Sequence, residues 1–142
     1  MSTTEKTVLT VRAEVKNTPE KIWKLWSSPE HITQWNTASP DWHTPKAEND
    51  LRVGGKFVSR MEAKDGSFGF DFGGLYTAVK NNEHIAYTMD DGRKATVDFL
   101  HKGDTVHITT KFEAEDQNPL EMQTGGWQAI LNNFKTYAET QS

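Results

Sequence analysis

The sequence predicts an α+β domain: a curved antiparallel sheet wrapped around one long C-terminal helix, with two short helices after the first strand. Three observations carry this. Runs of alternating apolar and polar residues fill the middle of the chain, separated by tight-turn pairs such as Asp65-Gly66 and Asp91-Gly92. Two helix-start signals, Thr18-Pro19 and Ser28-Pro29, stand close together near the beginning. The last apolar residues, from Trp127 to Ala138, fall on one stripe at helical spacing.

Each element follows from its own pattern. From Thr7 to Val15, Leu9, Val11, Ala13 and Val15 share one face and Thr10, Arg12 and Glu14 the other, which makes a half-buried strand. Thr18 then caps a helix with Pro19 at its first position, where a missing N–H costs nothing, and Ile22, Trp23, Leu25 and Trp26 supply its apolar side. Ser28-Pro29 starts a second short helix that runs to about Trp35. Residues 36–50 hold Pro40 and Pro45 and read as an extended loop, with a short strand near 45–49.

A meander follows. Phe57, Ser59 and Met61 alternate with Val58, Arg60 and Glu62; Phe68, Phe70 and Phe72 share a face after the Asp65-Gly66 turn. Gly73-Gly74 suggests a bulge, after which the strand resumes through Leu75, Tyr76 and Val79. Beyond the Asn81-Asn82 turn come three more faces: Ile85, Tyr87 and Met89; Ala95, Val97 and Phe99; and Val106, Ile108, Thr110 and Phe112. Asn118-Pro119-Leu120-Glu121 reads as a capping box opening the final helix. Tight turns make the strands antiparallel, so one sheet face needs cover, and the last helix is the one element long enough to supply it. Between a strongly curved sheet and one helix there is space for large side chains or for a ligand.

Composition narrows the function. The 142 residues fit one domain spanning 1–142, and five Trp, seven Phe and three Tyr argue for a packed core. A net charge of −4 with no Lys/Arg block disfavours nucleic acid. The absence of cysteine excludes disulfides, thiol nucleophiles and Cys-based metal sites. Neither a signal peptide nor an apolar run of spanning length is present, so a cytoplasmic location is expected.

Four stretches, in order, resemble one family: Pro19–Trp23 with Ser28–Trp35; Asp50–Phe57; Gly74–Val79 leading to His84–Thr88; and Gly125-Gly126-Trp127 with Leu131. The chain resembles the SRPBCC, or START-like, superfamily of helix-grip domains, and within it the branch named for activators of the heat-shock-protein-90 ATPase. The resemblance implies the helix-grip fold. For function it implies a range: lipid and polyketide carriers, aromatase/cyclase-type proteins and co-chaperones. Eukaryotic activators carry a separate N-terminal chaperone-binding domain; these 142 residues are expected to hold the helix-grip domain alone.

Patterns for chemistry are sparse. His31, His43, His84, His101 and His107 form no metal-ligand spacing, although His101 and His107 flank one hairpin. No Gly-x-Ser-x-Gly elbow or phosphate-binding glycine loop occurs; Asp71 and Asp98 fall on solvent faces by alternation. Gly125-Gly126 inside a helix suggests close packing against the sheet. His43, in a loop that can close a pocket mouth, is the candidate acid/base.

The reading that follows is a non-enzymatic protein binding a small hydrophobic molecule, lipid-like or aromatic, between sheet and final helix. Trp35 and Trp42 stand near the mouth, and Phe57, Met61, Phe70, Phe72, Tyr87, Phe99, Met122, Trp127 and Leu131 form the lining. His43, Ser59 and Gln123 are the polar groups available to orient a ligand. No cofactor, metal, nucleic acid or membrane span is expected. The alternatives are a co-chaperone module and a cyclase- or hydrolase-like enzyme.

Overall fold

A computed structural model describes residues 7–37 and 39–141. Its elements are β1 (Val8–Val15), α1 (Pro19–Ser27), α2 (Pro29–Trp35), β2 (Trp42–Asn49), β3 (Lys56–Ala63), β4 (Gly69–Lys80), β5 (His84–Met89), β6 (Lys94–Lys102), β7 (Thr105–Glu113) and α3 (Leu120–Glu139). The strands form one curled antiparallel sheet in the order β1-β7-β6-β5-β4-β3-β2, a helix-grip α+β fold.

The first helix starts as its sequence dictates: the Thr18 hydroxyl accepts the Lys21 N–H at 3.2 Å, and Pro19 occupies the first turn. Ser28 ends α1 and opens α2, but its side chain makes no capping bond. Hairpin turns fall where predicted. Gly66 and Gly92 have φ of +77° and +92°, values that Gly adopts without the Cβ penalty.

Four local expectations are corrected. The strand predicted near residues 45–49 begins at Trp42, and Pro45 is accommodated by a register shift between His43 and Lys46 on this edge strand. The bulge predicted at Gly73-Gly74 lies instead between Tyr76 and Ala78. Those glycines pair regularly and permit close strand approach: a Cβ on Gly73 would stand 2.7 Å from the Phe57 carbonyl oxygen. The capping box does not form, because Asn118 turns its side chain to Glu115 Oε1 at 2.9 Å and α3 begins one residue later, after Pro119. Gly125 and Gly126 are not close-packed; nothing lies within 4 Å of a Cβ built on either.

α3 leans to one side. It packs against β1, α1 and α2, and its polar side chains cover the free edge of β1. The Gln128 amide binds that edge as a neighbouring strand would, donating to Arg12 O at 2.9 Å and accepting from Arg12 N at 3.3 Å. Lys135 Nζ donates to Glu14 O, and Glu139 accepts the Lys16 N–H at 3.0 Å. Asn17 donates to Ala138 O and Gln141 O, both at 2.9 Å.

The dry core lies under the C-terminal half of α3. Phe134, Ile22, Leu25 and Phe112 are fully buried. Phe134 meets Trp26 and Trp35 edge-on, each with ring centroids 4.9 Å away, and Trp35 donates its indole N–H to Leu25 O at 3.0 Å. Such aromatic pairs add about 0.5–1.5 kcal/mol beyond area burial.

Candidate functional site

Toward the N-terminal half of α3 the sheet curls away and the packing opens. The space is a cavity of about 570 Å³, within the range of small-molecule sites. Its size follows from α3 lying toward β1 rather than over the middle of the sheet, and from Gly126, which contributes wall without filling volume.

The floor is set by Val11, Ile85, Val97 and Leu131, with Trp35 beneath. Trp35 is buried in the packed cluster, so it forms floor rather than mouth. The walls are aromatic. Trp127 is held by a face-to-face stack on Phe112, with centroids 3.9 Å apart and planes 6° from parallel. It presents its edge to Phe72 at 6.1 Å, while Phe57 meets Tyr87 at 5.0 Å. The rim carries Trp42, Phe70 and Met122, with Met122 62% exposed and Phe70 40%; Met61 lines the cavity from a buried position.

Two predicted residues lie elsewhere. His43 sits on the outer face of β2, its Nε2 3.7 Å from Glu62 Oε1, and does not line the cavity. The expectation of a pocket-mouth loop failed because Trp42 and His43 are already strand, where alternation turns Trp42 in and His43 out. Phe99 is on the concave face but is consumed by packing: Trp23 and Trp26 each approach it at 5.5 Å. α1 fills that end of the sheet, and Phe99 is not a wall of the cavity.

The polar groups have defined states. Ser59 is buried, and its hydroxyl oxygen accepts from the Asn36 amide at 3.1 Å. Gln123 lines the wall, but its amide ties down the segment before α3: it accepts from Glu115 N at 2.8 Å and donates to Glu115 O and Asn118 O. Both of its donors are thereby spent. Tyr76 donates its hydroxyl to Asn49, whose amide donates to Ser27 O at 2.6 Å. Burial pushes the Tyr76 and Tyr87 phenols well above their usual range, so both remain protonated donors across physiological pH.

Sequence reasoning missed Arg93 and Thr110 as wall residues. Both were accessible to the period-2 rule. Arg93 extends the inward parity of Ala95, Val97 and Phe99, and Thr110 is the one polar residue on the Val106–Phe112 inward face.

Such a wall can hold an apolar molecule and offer it a few hydrogen bonds. Among the described residues no group of His, Asp and Glu is arranged to hold a metal, and Ser59 has an amide, not a base, beside it. The His84–Asp98 contact of 2.6 Å lies outside the cavity. No helix among the described residues is long and apolar enough to cross a membrane.

A curled sheet gripping a C-terminal helix over an aromatic-walled cavity defines the START-like class of helix-grip proteins. Within that class, the family model for Activator of Hsp90 ATPase homolog 1-like protein matches residues 16–139, and the chain belongs to that family. It is similar to the solution structure of an AHSA1-like protein from Aeromonas hydrophila, 40% identical, covering 94% of this chain and 93% of that one, with a TM-score of 0.89. A Cytophaga hutchinsonii protein is 52% identical over 95% of this chain and 92% of its own, with a TM-score of 0.79. A protein from Chromobacterium violaceum shares the fold at 22% identity, TM-score 0.84, covering 94% and 98% of the two chains. No functionally curated protein matches the chain.

Proposed function

We propose that this protein binds a small, predominantly apolar molecule in the cavity between its sheet and α3, and holds it without transforming it. The supporting observation is the aromatic-walled space of about 570 Å³. Nearby, the same kinds of side chain pack to exclusion under α1 and α2. An apolar ligand entering such a space gains about 25 cal/mol for each Å² of apolar surface removed from water.

The test is an NMR titration of labelled protein with a panel of lipids and polycyclic aromatics, on the wild type and on Gly126→Leu. Saturable shifts at the Trp127 indole and along α3 are expected in the wild type. In Gly126→Leu, where the new side chain enters the cavity, binding should fall at least tenfold while the protein stays folded. Equal binding by both proteins rules this site out.

A chaperone-directed role is the second reading, favoured by family membership and by an exposed aromatic trio. Phe68 is 62% exposed, and Trp42 lies 6.0 Å from both Phe68 and Phe70 at the rim. It requires that Phe68→Ser diminish an effect of this protein on the ATPase rate of a heat-shock-protein-90-type chaperone. No effect of the unaltered protein on that rate removes it.

A further inference from the structure

Tyr87, Arg93 and Thr110 occupy successive rows of the concave face. Tyr87 on β5 pairs with Ala95 on β6, and Ala95 with Phe112 on β7. One row toward the rim, Met89 N donates to Arg93 O at 2.7 Å, which closes the hairpin with Arg93 on the same face as Ala95. One row deeper, Val97 pairs with Thr110. All three line the cavity.

Their donors are not consumed by the fold. Thr110 is 4% exposed, and its side-chain hydroxyl makes no hydrogen bond with any described residue. Among the described residues no side-chain N or O atom is both sealed from solvent and unbonded, so its hydroxyl opens on the cavity. The Tyr87 hydroxyl is in the same condition. Arg93, with its side chain 17% exposed, donates Nε to Asp91 Oδ2 at 2.7 Å and Nη1 to Glu113 O at 3.3 Å. Its Nη2 donors have no partner among the described residues. Arg can only donate, and a phenol held protonated by burial donates readily.

We infer that the ligand of this cavity is an apolar, ring-containing molecule bearing a neutral carbonyl oxygen, which accepts hydrogen bonds from Tyr87 and Arg93, with the Thr110 hydroxyl available one row deeper. This rests on the ligand-binding reading above. The neutral form follows from the surroundings of the guanidinium: the Asp91 carboxylate is bonded to it, Nη1 is taken up by the Glu113 backbone carbonyl, and the carboxylates of Glu48 and Glu115 line the same cavity. These carboxylates already balance the charge of Arg93 and oppose an added anion.

The test compares three probes on one skeleton: 2-ethylnaphthalene, 2-acetylnaphthalene and 2-naphthoate, with affinities read by calorimetry and NMR. The ketone should bind about tenfold more tightly than the hydrocarbon, the scale of one or two well-made hydrogen bonds. The acid should not exceed the ketone. Tyr87→Phe should remove most of the ketone's advantage, and Tyr87→Phe with Arg93→Met all of it. The hydrocarbon's affinity, measured in each variant, is the reference for the ketone's advantage, and the amide NMR spectrum and Tm report that each variant is folded. Equal binding of ketone and hydrocarbon by the wild type overturns the inference and leaves the cavity reading intact. So does an advantage that survives in the double variant. An acid bound more tightly than the ketone overturns the neutral-carbonyl assignment. Failure of all three probes overturns both this inference and the reading beneath it.

Discussion

The two ends of the space beneath α3 are built from the same residue types and filled differently. At the C-terminal end, Phe134, Trp26, Trp35 and Phe99 meet edge to face until no gap remains, because α1 and α2 press a second layer of aromatics onto the sheet. At the N-terminal end, Phe57 and Tyr87, and Phe72 and Trp127, also meet edge to face, but only α3 lies over them, without the added layer of α1 and α2, and they enclose about 570 Å³. The anchoring differs likewise. Lys135, Glu139 and Asn17 fasten the far end of α3 to β1 and the chain beyond it, whereas the near end carries Gly125-Gly126 with open space around both. An apolar composition therefore does not decide between core and pocket; the number of layers does.

The contrast can be broken by truncation. Phe134→Ala should cost about 3–5 kcal/mol in urea unfolding, since a fully buried ring leaves an unfilled hole. Phe72→Ala should cost about 1 kcal/mol, because that half-buried ring already faces open volume. Equal losses would mean that the N-terminal end is packed like the other. The smallest effect sharpens the same point. Gly125→Ala places a methyl group where nothing lies within 4 Å, so it should stabilise the protein by about 1 kcal/mol through helix propensity alone. A loss of stability there, seen as a lowered Tm, would show that the near turn of α3 needs its glycine.

Much of the fold was legible because strands and helices imprint their own periods. The inward sets Val11/Val15, Ile85/Met89 and Val106/Ile108/Phe112 are buried as alternation requires. Where a local signal competed with tertiary context, the context prevailed. Trp42 and His43 read as loop ahead of a short strand near Pro45, yet an edge strand with a shifted register begins at Trp42 and carries the proline within it. Asn118 read as a cap, but Glu115 captured its side chain. Phe99 and Phe72 carry the same alternating strand pattern in sequence; only the docking of α1 over one and not the other separates core from wall. A cavity is what packing leaves over, and no residue encodes it alone.

The Gln128 amide on the backbone of Arg12 has a consequence for behaviour at high concentration. An uncovered edge strand is a template for a second chain, and β1 ends the sheet. The helix that roofs the cavity is thus also the guard against strand-to-strand self-association. Admitting a guest by lifting the whole of α3 would expose that edge, whereas loosening the turn around Gly125 would leave the Gln128 clasp closed. The open turn at Gly125 and the clasp at Gln128 thus lie three residues apart on a single helix.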